Sequence, residues 1–147
     1  MKQCKVLIFN LNSQKYALDI EEVERIVSCN KITRLIDSEF YVDGIVEYEG
    51  GTLTVINLYK IFDMEEVESL KDEKIIVIIN ENLRIGVKVD YVIEVASIDE
   101  SLIEQAPPLA LRNERTPIKG IIKEDKEIIV LLDGKKIFGL DKVKVLM

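Results

Sequence analysis

Side chains that could catalyse a reaction at neutral pH are scarce in this sequence. Its 147 residues include no histidine, and its two cysteines, Cys4 and Cys29, lie far apart and form no CxxC pair. Histidine is the commonest general base and metal ligand near neutral pH, so its absence excludes Ser–His–Asp and Cys–His catalysis and most zinc sites. A carboxylate acid–base pair remains as an alternative, but among 27 acidic residues a chance pairing carries no signal. The residue types therefore argue against an enzyme.

The overall charge argues against nucleic acid and anionic membranes as partners. The formal net charge is −7 at pH 7 with a sequence pI of about 4.8, and no cluster of Lys and Arg offers the cations that a phosphate backbone requires. No apolar run reaches the roughly 18 to 20 residues that span a membrane, and the N-terminal sequence lacks the apolar core of a signal peptide. We therefore expect a soluble cytoplasmic protein whose thiols are reduced.

Two β-hairpins are predicted by apolar runs rich in β-branched residues. These runs are VLIF at residues 6–9 and IIVII at residues 75–79, and turn-forming polar residues follow each of them. An alternating segment comes next in both cases, YALDI at residues 16–20 and IGVKV at residues 85–89. Run, turn and alternating segment together are typical of a hairpin.

These hairpins open the two copies of an internal repeat. The apolar positions of residues 6–26 recur without gaps at an offset of 69 residues, which also aligns Lys5 with Lys74.

A second hairpin in each copy recurs at an offset of 76 residues, which aligns Gly44 with Gly120. The same offset aligns KIF at residues 60–62 with an identical KIF at residues 136–138. The second copy thus carries 76 − 69 = 7 extra residues, which we place within residues 98–116. The agreement in order and spacing favours a true repeat over a chance match between two β-rich stretches.

Each copy is predicted to form a hairpin, an irregular crossing, a second hairpin and a short helical turn. The second hairpins turn near residues 49–51 and 123–126. Several short strands with turn signals are typical of small barrels or a sandwich. We predict a first barrel at about residues 1–68 and a second at about 73–140, joined by residues 64–72. Neither half is large enough to bury a good core alone, so the two should pack together and leave a groove at their junction.

Two local points stay open at this stage. Ile20, Val23 and Ile26 are spaced by three residues, which suits either a helical turn with one apolar stripe or a twisted strand with bulges. Residues 142–146 are predicted as a final strand, which either completes the second barrel or exchanges into the first.

Several segments resemble, in order, the CheW family. YALDIEEVERI at residues 16–26 resembles the family's opening pattern, aromatic-x-φ-D-I-x-x-V-x-E-I, in which φ is an apolar residue. FYVDGIV at residues 40–46 resembles the segment that follows, and GVKVDYVIEV at residues 86–95 resembles G-φ-φ-V-D-x-V-x-x-V. No single motif is specific, but the ordered set extends over about residues 5–140.

The resemblance implies both a fold and a function. It implies two five-stranded SH3-like β-barrels with an apolar junction, and it implies neither catalysis nor a cofactor. CheW proteins are adaptors that couple chemoreceptors to the CheA histidine kinase, binding the kinase's CheW-like regulatory domain and the cytoplasmic tip of the receptor. Together with the internal repeat, this predicts an all-β protein of two pseudo-repeated SH3-like barrels with short helical turns.

The sequence also departs from the family pattern. The family's Asn-Leu-Arg-Gly is here Glu47-Tyr48-Glu49-Gly50, and its Asp is replaced by Asn57. The change from Arg to Glu49 reverses a charge at a position linked in the family with receptor coupling, and a carboxylate offers none of the guanidinium's donors. The alternative function is therefore a divergent CheW-like module for a different kinase, or a decoy that binds CheA without the receptor.

The candidate binding residues each have a structural alternative. Val23 and Ile26 either line a partner groove or belong to the core, and the recurrence of the pattern favours the core. Gly44 either allows a partner's backbone to approach or serves a barrel bend, and Gly120 at the equivalent position favours the bend. The predicted partner-binding residues are Val23, Arg25, Ile26, Gly44, Glu47, Tyr48, Glu49 and Gly50.

Three other polar segments could either bind a partner or be solvated surface. Residues 47–50 are either a solvated hairpin tip or an interface, and Tyr48 favours the interface because aromatic residues are enriched in binding hot spots. Glu21, Glu22 and Glu24 are predicted to be a solvated face. Residues 107–115 are predicted to be a connection rather than a binding loop.

Overall fold

The structure is a computed structural model, and it describes residues 2–29, 31–65, 73–107 and 116–145. The strands of these residues, in chain order, are β1 (Gln3–Leu11), β2 (Gln14–Asp19), β3 (Val23–Ser28), β4 (Val42–Tyr48), β5 (Gly51–Asn57), β6 (Lys74–Asn80), β7 (Leu83–Val89), β8 (Tyr91–Asp99), β9 (Ile103–Glu104), β10 (Ile118–Glu124) and β11 (Glu127–Leu132). The helices are α1 (Leu58–Ile61) and α2 (Gly134–Val145), and 3₁₀ turns lie at Ile20–Glu22 and Glu100–Leu102. The prediction of a mainly β protein with short helical turns is confirmed.

All four predicted hairpins are present as antiparallel pairs, β1–β2, β4–β5, β6–β7 and β10–β11. Their turns use residues with positive φ. Asn12 and Ser13 have φ values of 53° and 63°, and Glu49 and Gly50 have values of 46° and 80°. Two successive residues of positive φ form the kind of two-residue turn whose twist matches that of the flanking strands. The turn chemistry read from the sequence therefore sets the register of both hairpins.

The hairpins assemble into two sheets that each draw on both copies of the repeat. One sheet has the order β8-β1-β2-β11-β10-β9 and the other the order β3-β6-β7-β5-β4. The joining contacts are parallel, between β2 and β11 and between β5 and β7. Each sheet thus combines the first hairpin of one copy with the second hairpin of the other. The predicted division of the chain at residues 68 and 73 does not coincide with the division into sheets, because the two half-size units bury their apolar faces by exchanging hairpins.

The largest apolar cluster lies where the two sheets meet. It includes Phe9 and Leu18 from the six-stranded sheet and Ile56 and Val87 from the five-stranded sheet, all at most 1% exposed. Each sheet also has a smaller apolar cluster of its own. The cluster of the six-stranded sheet includes Val6 and Leu131, and that of the five-stranded sheet includes Leu53 and Val77. The apolar junction implied by the family resemblance is therefore a packed core that holds the sheets together.

The predicted final strand at residues 142–146 is wrong, because Gly134–Val145 form the helix α2. The Asp133 carboxylate begins the helix by accepting hydrogen bonds from the backbone N–H groups of Lys135 (3.0 Å) and Lys136 (3.3 Å). Ile137 and Phe138 then bury their side chains in the junction core. A cap followed by apolar residues on one helical face outweighs the β-propensity of the terminal valines.

Ile20, Val23 and Ile26, which are spaced by three residues, belong to two different elements. Ile20 to Glu22 form a 3₁₀ turn, and strand β3 begins at Val23. The register of β3 against β6 shifts between Val23 and Arg25. Arg25 and Ile26, which follow this bulge on the edge strand β3, are both exposed.

Candidate partner-binding surface

Two of the predicted segments lie at opposite edges of the five-stranded sheet. Val23, Arg25 and Ile26 belong to β3, the first strand in the order of that sheet, whereas residues 47–50 end β4 and form its turn into β5. The chain after β3 returns to β4 through Thr33, whose backbone N–H and C=O both bond to Ile45 at 2.9 Å. The sheet therefore curves until its edges approach, as in a small barrel.

An ion pair joins the two edges. The Arg25 Nη1 atom lies 3.0 Å from Glu49 Oε1, with about half of each side chain exposed. The Arg25 guanidinium also lies over the Tyr48 ring, at 5.9 Å from its centroid, within the range of a cation–π contact. The structure thus brings together three residues that the sequence indicated separately.

Two further residues hold Tyr48 in place. The Tyr48 hydroxyl donates a hydrogen bond of 2.8 Å to Glu24 Oε2. Arg84 Nε on β7 donates to both oxygens of the same carboxylate, at 2.8 and 2.7 Å. We call Glu24, Arg25, Tyr48, Glu49 and Arg84 the edge cluster.

The electrostatics of the edge cluster follow from these contacts. The hydrogen bond from Arg84, followed by that from Tyr48, holds the pKa of the Glu24 carboxyl below its usual range. Desolvation, together with the hydrogen bond to Glu24, raises the pKa of Tyr48. At neutral pH the Glu24 carboxylate is therefore ionised beside Arg84, and the Tyr48 phenol keeps its proton.

Sequence reasoning missed the roles of Glu24 and Arg84. Glu24 was predicted to belong to a solvated face, but its side chain is only 22% exposed because Arg84 and Tyr48 cover it. Arg84 reaches Glu24 across the intervening strand β6, since the sheet order is β3-β6-β7. No spacing along the chain signals a contact between strands that are 60 residues apart in sequence.

Val23 and Ile26, each predicted to belong either to the core or to a partner groove, differ in their burial. Val23 is partly buried against the junction core, whereas Ile26 is 39% exposed. The second copy repeats this division, since Val92 packs against the same core and Val95 is 52% exposed. Ile26 is therefore an apolar side chain at an edge strand that the fold leaves available to a partner.

Gly44 lies at a bend in β4, as the structural alternative to a binding role predicted. It is buried, has a φ of +148°, and lies where the register of β4 against β5 shifts. A Cβ built on Gly44 would lie 2.1 Å from the Thr33 carbonyl oxygen. The equivalent Gly120 also lies at a register shift, with its Cβ position 2.7 Å from the Glu104 carbonyl oxygen. In both copies a neighbouring backbone passes where a side chain would be; contact of Gly44 with a partner stays a prediction.

Two polar networks inside the fold were also not predicted. Asp43 pairs with Lys88 at 2.8 Å and accepts a hydrogen bond of 2.9 Å from the Asn57 amide. Asp90, 3% exposed, accepts hydrogen bonds from the Tyr59 hydroxyl and from the backbone N–H of Asn12. These networks connect strands and turns of both copies of the repeat.

Three apolar side chains are exposed in the crossing between β3 and β4. Leu35 is 45% exposed, Ile36 94% and Phe40 67%. The sequence did not single them out, because an apolar residue in an irregular segment has no periodicity that would assign it to the core or to the surface. Most of the link predicted at residues 64–72 and of the connection predicted at residues 107–115, namely residues 66–72 and 108–115, lies outside the described residues.

The described residues contain no group of three or more side chains placed to hold a metal ion. Within the same ranges, no helix has the length and apolar character needed to cross a membrane.

Comparison with known proteins relates this arrangement to one family. Residues 5–142 match the CheW-like domain. The chain belongs to the CheW-like domain family. It is 29% identical to the chemotaxis protein CheW of Bacillus subtilis over 94% of this chain and 87% of that protein. It is also 29% identical to CheW of Thermotoga maritima, over 98% of this chain and 93% of its relative.

A solved structure agrees with this assignment. The crystal structure of the scaffolding protein TtCheW from Thermoanaerobacter tengcongensis is similar with a TM-score of 0.82 and 31% sequence identity, and the match covers 90% of this chain and 86% of that one. The family resemblance read from ordered weak motifs is confirmed, and so is the CheW-like β fold.

Proposed function

We propose that this chain is a non-catalytic adaptor that couples chemoreceptors to a CheA-type histidine kinase in chemotaxis. The observation that carries the proposal is the family match over residues 5–142, together with the fold similarity to a CheW scaffold. The lack of histidine in the sequence agrees with a role in binding rather than in general acid–base catalysis. The cytoplasm is the proposed location, because both partners of a CheW adaptor are reached there.

The proposed partners are the CheW-like regulatory domain of the kinase and the cytoplasmic tip of a chemoreceptor. An adaptor must engage both at once, so it requires two surfaces. The internal repeat supports this requirement, since the chain presents two related edge strands, β3 and β8, each with an exposed aliphatic side chain, Ile26 and Val95.

The proposed binding surface consists of the β3 edge and the β4–β5 hairpin tip. Tyr and Arg are enriched in interface hot spots, and Tyr48 and Arg25 are held in place by Glu24 and Glu49. Ile26 supplies apolar area, while the charged residues set partner choice and steer encounter. The residues assigned to this surface are Val23, Arg25, Ile26, Glu47, Tyr48, Glu49 and Gly50, with Gly44 shaping β4 beneath them.

The proposal is tested by measuring binding of this chain to the kinase regulatory domain and to the receptor tip from the same cell, each by itself. Ile26→Asp is expected to weaken binding to at least one of them, because it places a charge at the apolar part of the surface. Ile128→Asp is the matched control, since Ile128 is also exposed, at 49%, but lies on β11 of the other sheet.

Three results have distinct meanings. Binding of both partners supports the coupling role. Binding of the kinase domain without the receptor tip would instead favour the decoy, for which Glu49 is the motivating residue. Binding of neither would contradict the proposal.

A further inference from the structure

One place in the fold is closed by charge in the first copy of the repeat and open in the second. In the first copy, Lys88 and Asp43 form an ion pair of 2.8 Å, and their side chains are only 12% and 11% exposed. The repeat offsets of 69 and 76 residues align Lys88 with Asp19 and Asp43 with Lys119. The two charges are thus exchanged in the second copy, where they line a cleft of about 350 Å³.

The neighbouring residues show that the two places are equivalent in three dimensions as well. A Cβ built on Gly44 would lie 2.9 Å from Ile32 Cγ2, and one built on the equivalent Gly120 would lie 3.0 Å from Ile103 Cγ2. Ile103 is one of the residues that line the cleft. The backbone is therefore arranged alike around both places, and the pairing of their charges is what distinguishes them.

The cleft has an apolar floor that belongs to the smaller apolar cluster of the six-stranded sheet. Val6 and Leu131 are only 1% and 3% exposed, and Ile103 packs against the same cluster. An apolar lining with a few polar groups is typical of small-molecule sites, whose volumes run from about 300 to 1,000 Å³. The volume of about 350 Å³ therefore fits a small metabolite rather than a helix or strand of a partner protein.

The charged side chains that line the cleft are Asp19, Glu100 and Lys119. The Asp19 carboxylate is fixed at the end of β2, because its Oδ1 atom accepts a hydrogen bond of 2.9 Å from the backbone N–H of Glu21. The Cys4 thiol lies among these charges. Burial, followed by the charges of Glu100 and Asp19, raises the pKa of Cys4, while Lys119 acts in the opposite direction. Groups of both signs therefore act at one point of the cleft.

We propose that this cleft binds an aliphatic α-amino acid. The ammonium group of the ligand has three donors, which bond the carboxylates of Asp19 and Glu100. Its carboxylate pairs with the Lys119 ammonium. Its side chain covers Val6 and Leu131, which removes apolar surface from water.

The ligand takes the part that the buried ion pair has in the first copy. There Lys88 and Asp43 compensate each other, because a charge that is removed from water requires a partner. In the second copy the two charges of the amino acid compensate Asp19 and Lys119 in the same way. A simple amine or a simple carboxylic acid would compensate one sign only. The site is independent of the proposed adaptor function, since it lies on the six-stranded sheet and the edge cluster on the other.

The two cysteines provide the readout. Cys4 lines the cleft, whereas Cys29 packs against the cluster of the five-stranded sheet and is the internal control. The whole chain is alkylated with iodoacetamide at increasing concentrations of L-leucine, and mass spectrometry follows each cysteine separately. Isoamylamine and 4-methylpentanoate are compared with L-leucine, because they keep its side chain but lack the carboxylate and the ammonium group, respectively.

Two variants remove one charge each from the cleft, Lys119→Met and Glu100→Gln. The matched control is Lys123→Met, since Lys123 is also on β10 but forms an exposed ion pair with Glu104, at 3.3 Å, away from the cleft. Circular dichroism checks that each variant folds. Glu100→Gln keeps the test open if Lys119→Met does not fold.

L-leucine is expected to slow the alkylation of Cys4 in a saturable manner and to leave Cys29 unchanged. Lys119→Met and Glu100→Gln should each raise the half-protecting concentration about tenfold or more, because a charge-assisted hydrogen bond is lost. Lys123→Met should protect as the parent chain does, and both single-charge analogues should be at least about tenfold weaker than L-leucine.

Three results would overturn the inference. The first is the lack of saturable protection of Cys4 in the parent chain, or equal protection of both cysteines. The second is parent-like protection in the folded Lys119→Met and Glu100→Gln variants. The third is protection by isoamylamine or 4-methylpentanoate that equals protection by L-leucine, since the site would then recognise a single charge rather than an amino acid.

Discussion

Arg25 and Glu49 belong to opposite edges of one five-stranded sheet, yet their side chains lie 3.0 Å apart. The contact is possible because the sheet curves around its own small core of Leu53, Val55 and Ile75. The edge cluster therefore lies where the barrel closes, and it presents charged groups next to an aromatic ring.

The Arg25–Glu49 pair should contribute little to stability despite its position. Arg25→Gln is expected to lower the free energy of unfolding by only about 0.2 to 1 kcal/mol, because both groups are half exposed and screened by water. The loss should shrink further at high salt. Urea unfolding at low and high salt measures it, with Glu47→Gln, an exposed change in the same hairpin, as the control. A loss of several kcal/mol would show that the pair is structural and would argue against its role in recognition.

Gly44 should tolerate no side chain. Gly44→Ala places a Cβ 2.1 Å from the Thr33 carbonyl oxygen, so two backbones must move apart, and we expect a loss of about 3 kcal/mol or more in the free energy of unfolding. Gly50→Ala is the matched control, since Gly50 also has positive φ but its Cβ position has nothing within 4 Å, and it should cost only about 1 to 2 kcal/mol. Equal losses for the two variants would contradict the assignment of Gly44 to the bend.

The Asp43–Lys88 pair should matter far more than the exposed pairs. Its side chains are only 11% and 12% exposed, so Lys88→Met leaves a carboxylate covered and without its cation, and we expect a loss of about 3 to 5 kcal/mol. The double variant D43N/K88M removes the charge as well, and it should recover part of that loss. Thermal or urea unfolding of the two variants compares them. A double variant that is less stable than Lys88→Met would contradict this account.

Glu22 should make stability fall as the pH rises. Burial, followed by the nearby charge of Asp133, raises the pKa of Glu22 in the folded chain, while Lys119 and the backbone N–H of Gly134 act in the opposite direction. The folded state therefore holds this proton more tightly than the unfolded state does. The associated stability is complete below the unfolded pKa and is lost as the pH rises through the raised folded pKa.

Glu22→Gln tests this assignment, because glutamine cannot ionise and still offers an acceptor to Gly134. The free energy of unfolding is measured from acidic to neutral pH for both proteins. Relative to the parent chain, the variant should gain stability toward neutral pH. Parallel curves for the two proteins would contradict the pKa direction. Glu21→Gln, at an exposed neighbouring position, is the control.

Local patterns predicted much of the fold. The hairpins follow from β-branched runs flanked by turn residues, and the bend at Gly44 was anticipated because Gly120 recurs at the equivalent place. These features depend on residues close together in sequence or on a repeat of fixed offset. The resemblance to the CheW family could be read for the same reason, since it lies in the order of local motifs.

The remaining features depend on contacts that leave no local pattern. The exchange of hairpins is made by the parallel pairings of β2 with β11 and of β5 with β7, which join segments from different copies. The edge cluster depends on the curvature of a sheet, which brings Tyr48 to Glu24 and Arg84. The C-terminal helix was missed because its valines favour a strand, while its start depends on a single capping carboxylate, Asp133.

The measurement that tests the central claim most directly is kinase autophosphorylation in the presence of receptor, with and without this chain. A CheA-type kinase and a membrane-embedded chemoreceptor from the same cell are mixed with increasing amounts of the protein. The account predicts that receptor control of kinase activity appears only when the chain is added and is weakened by Ile26→Asp. Kinase activity that is independent of the chain at every concentration would contradict the coupling role.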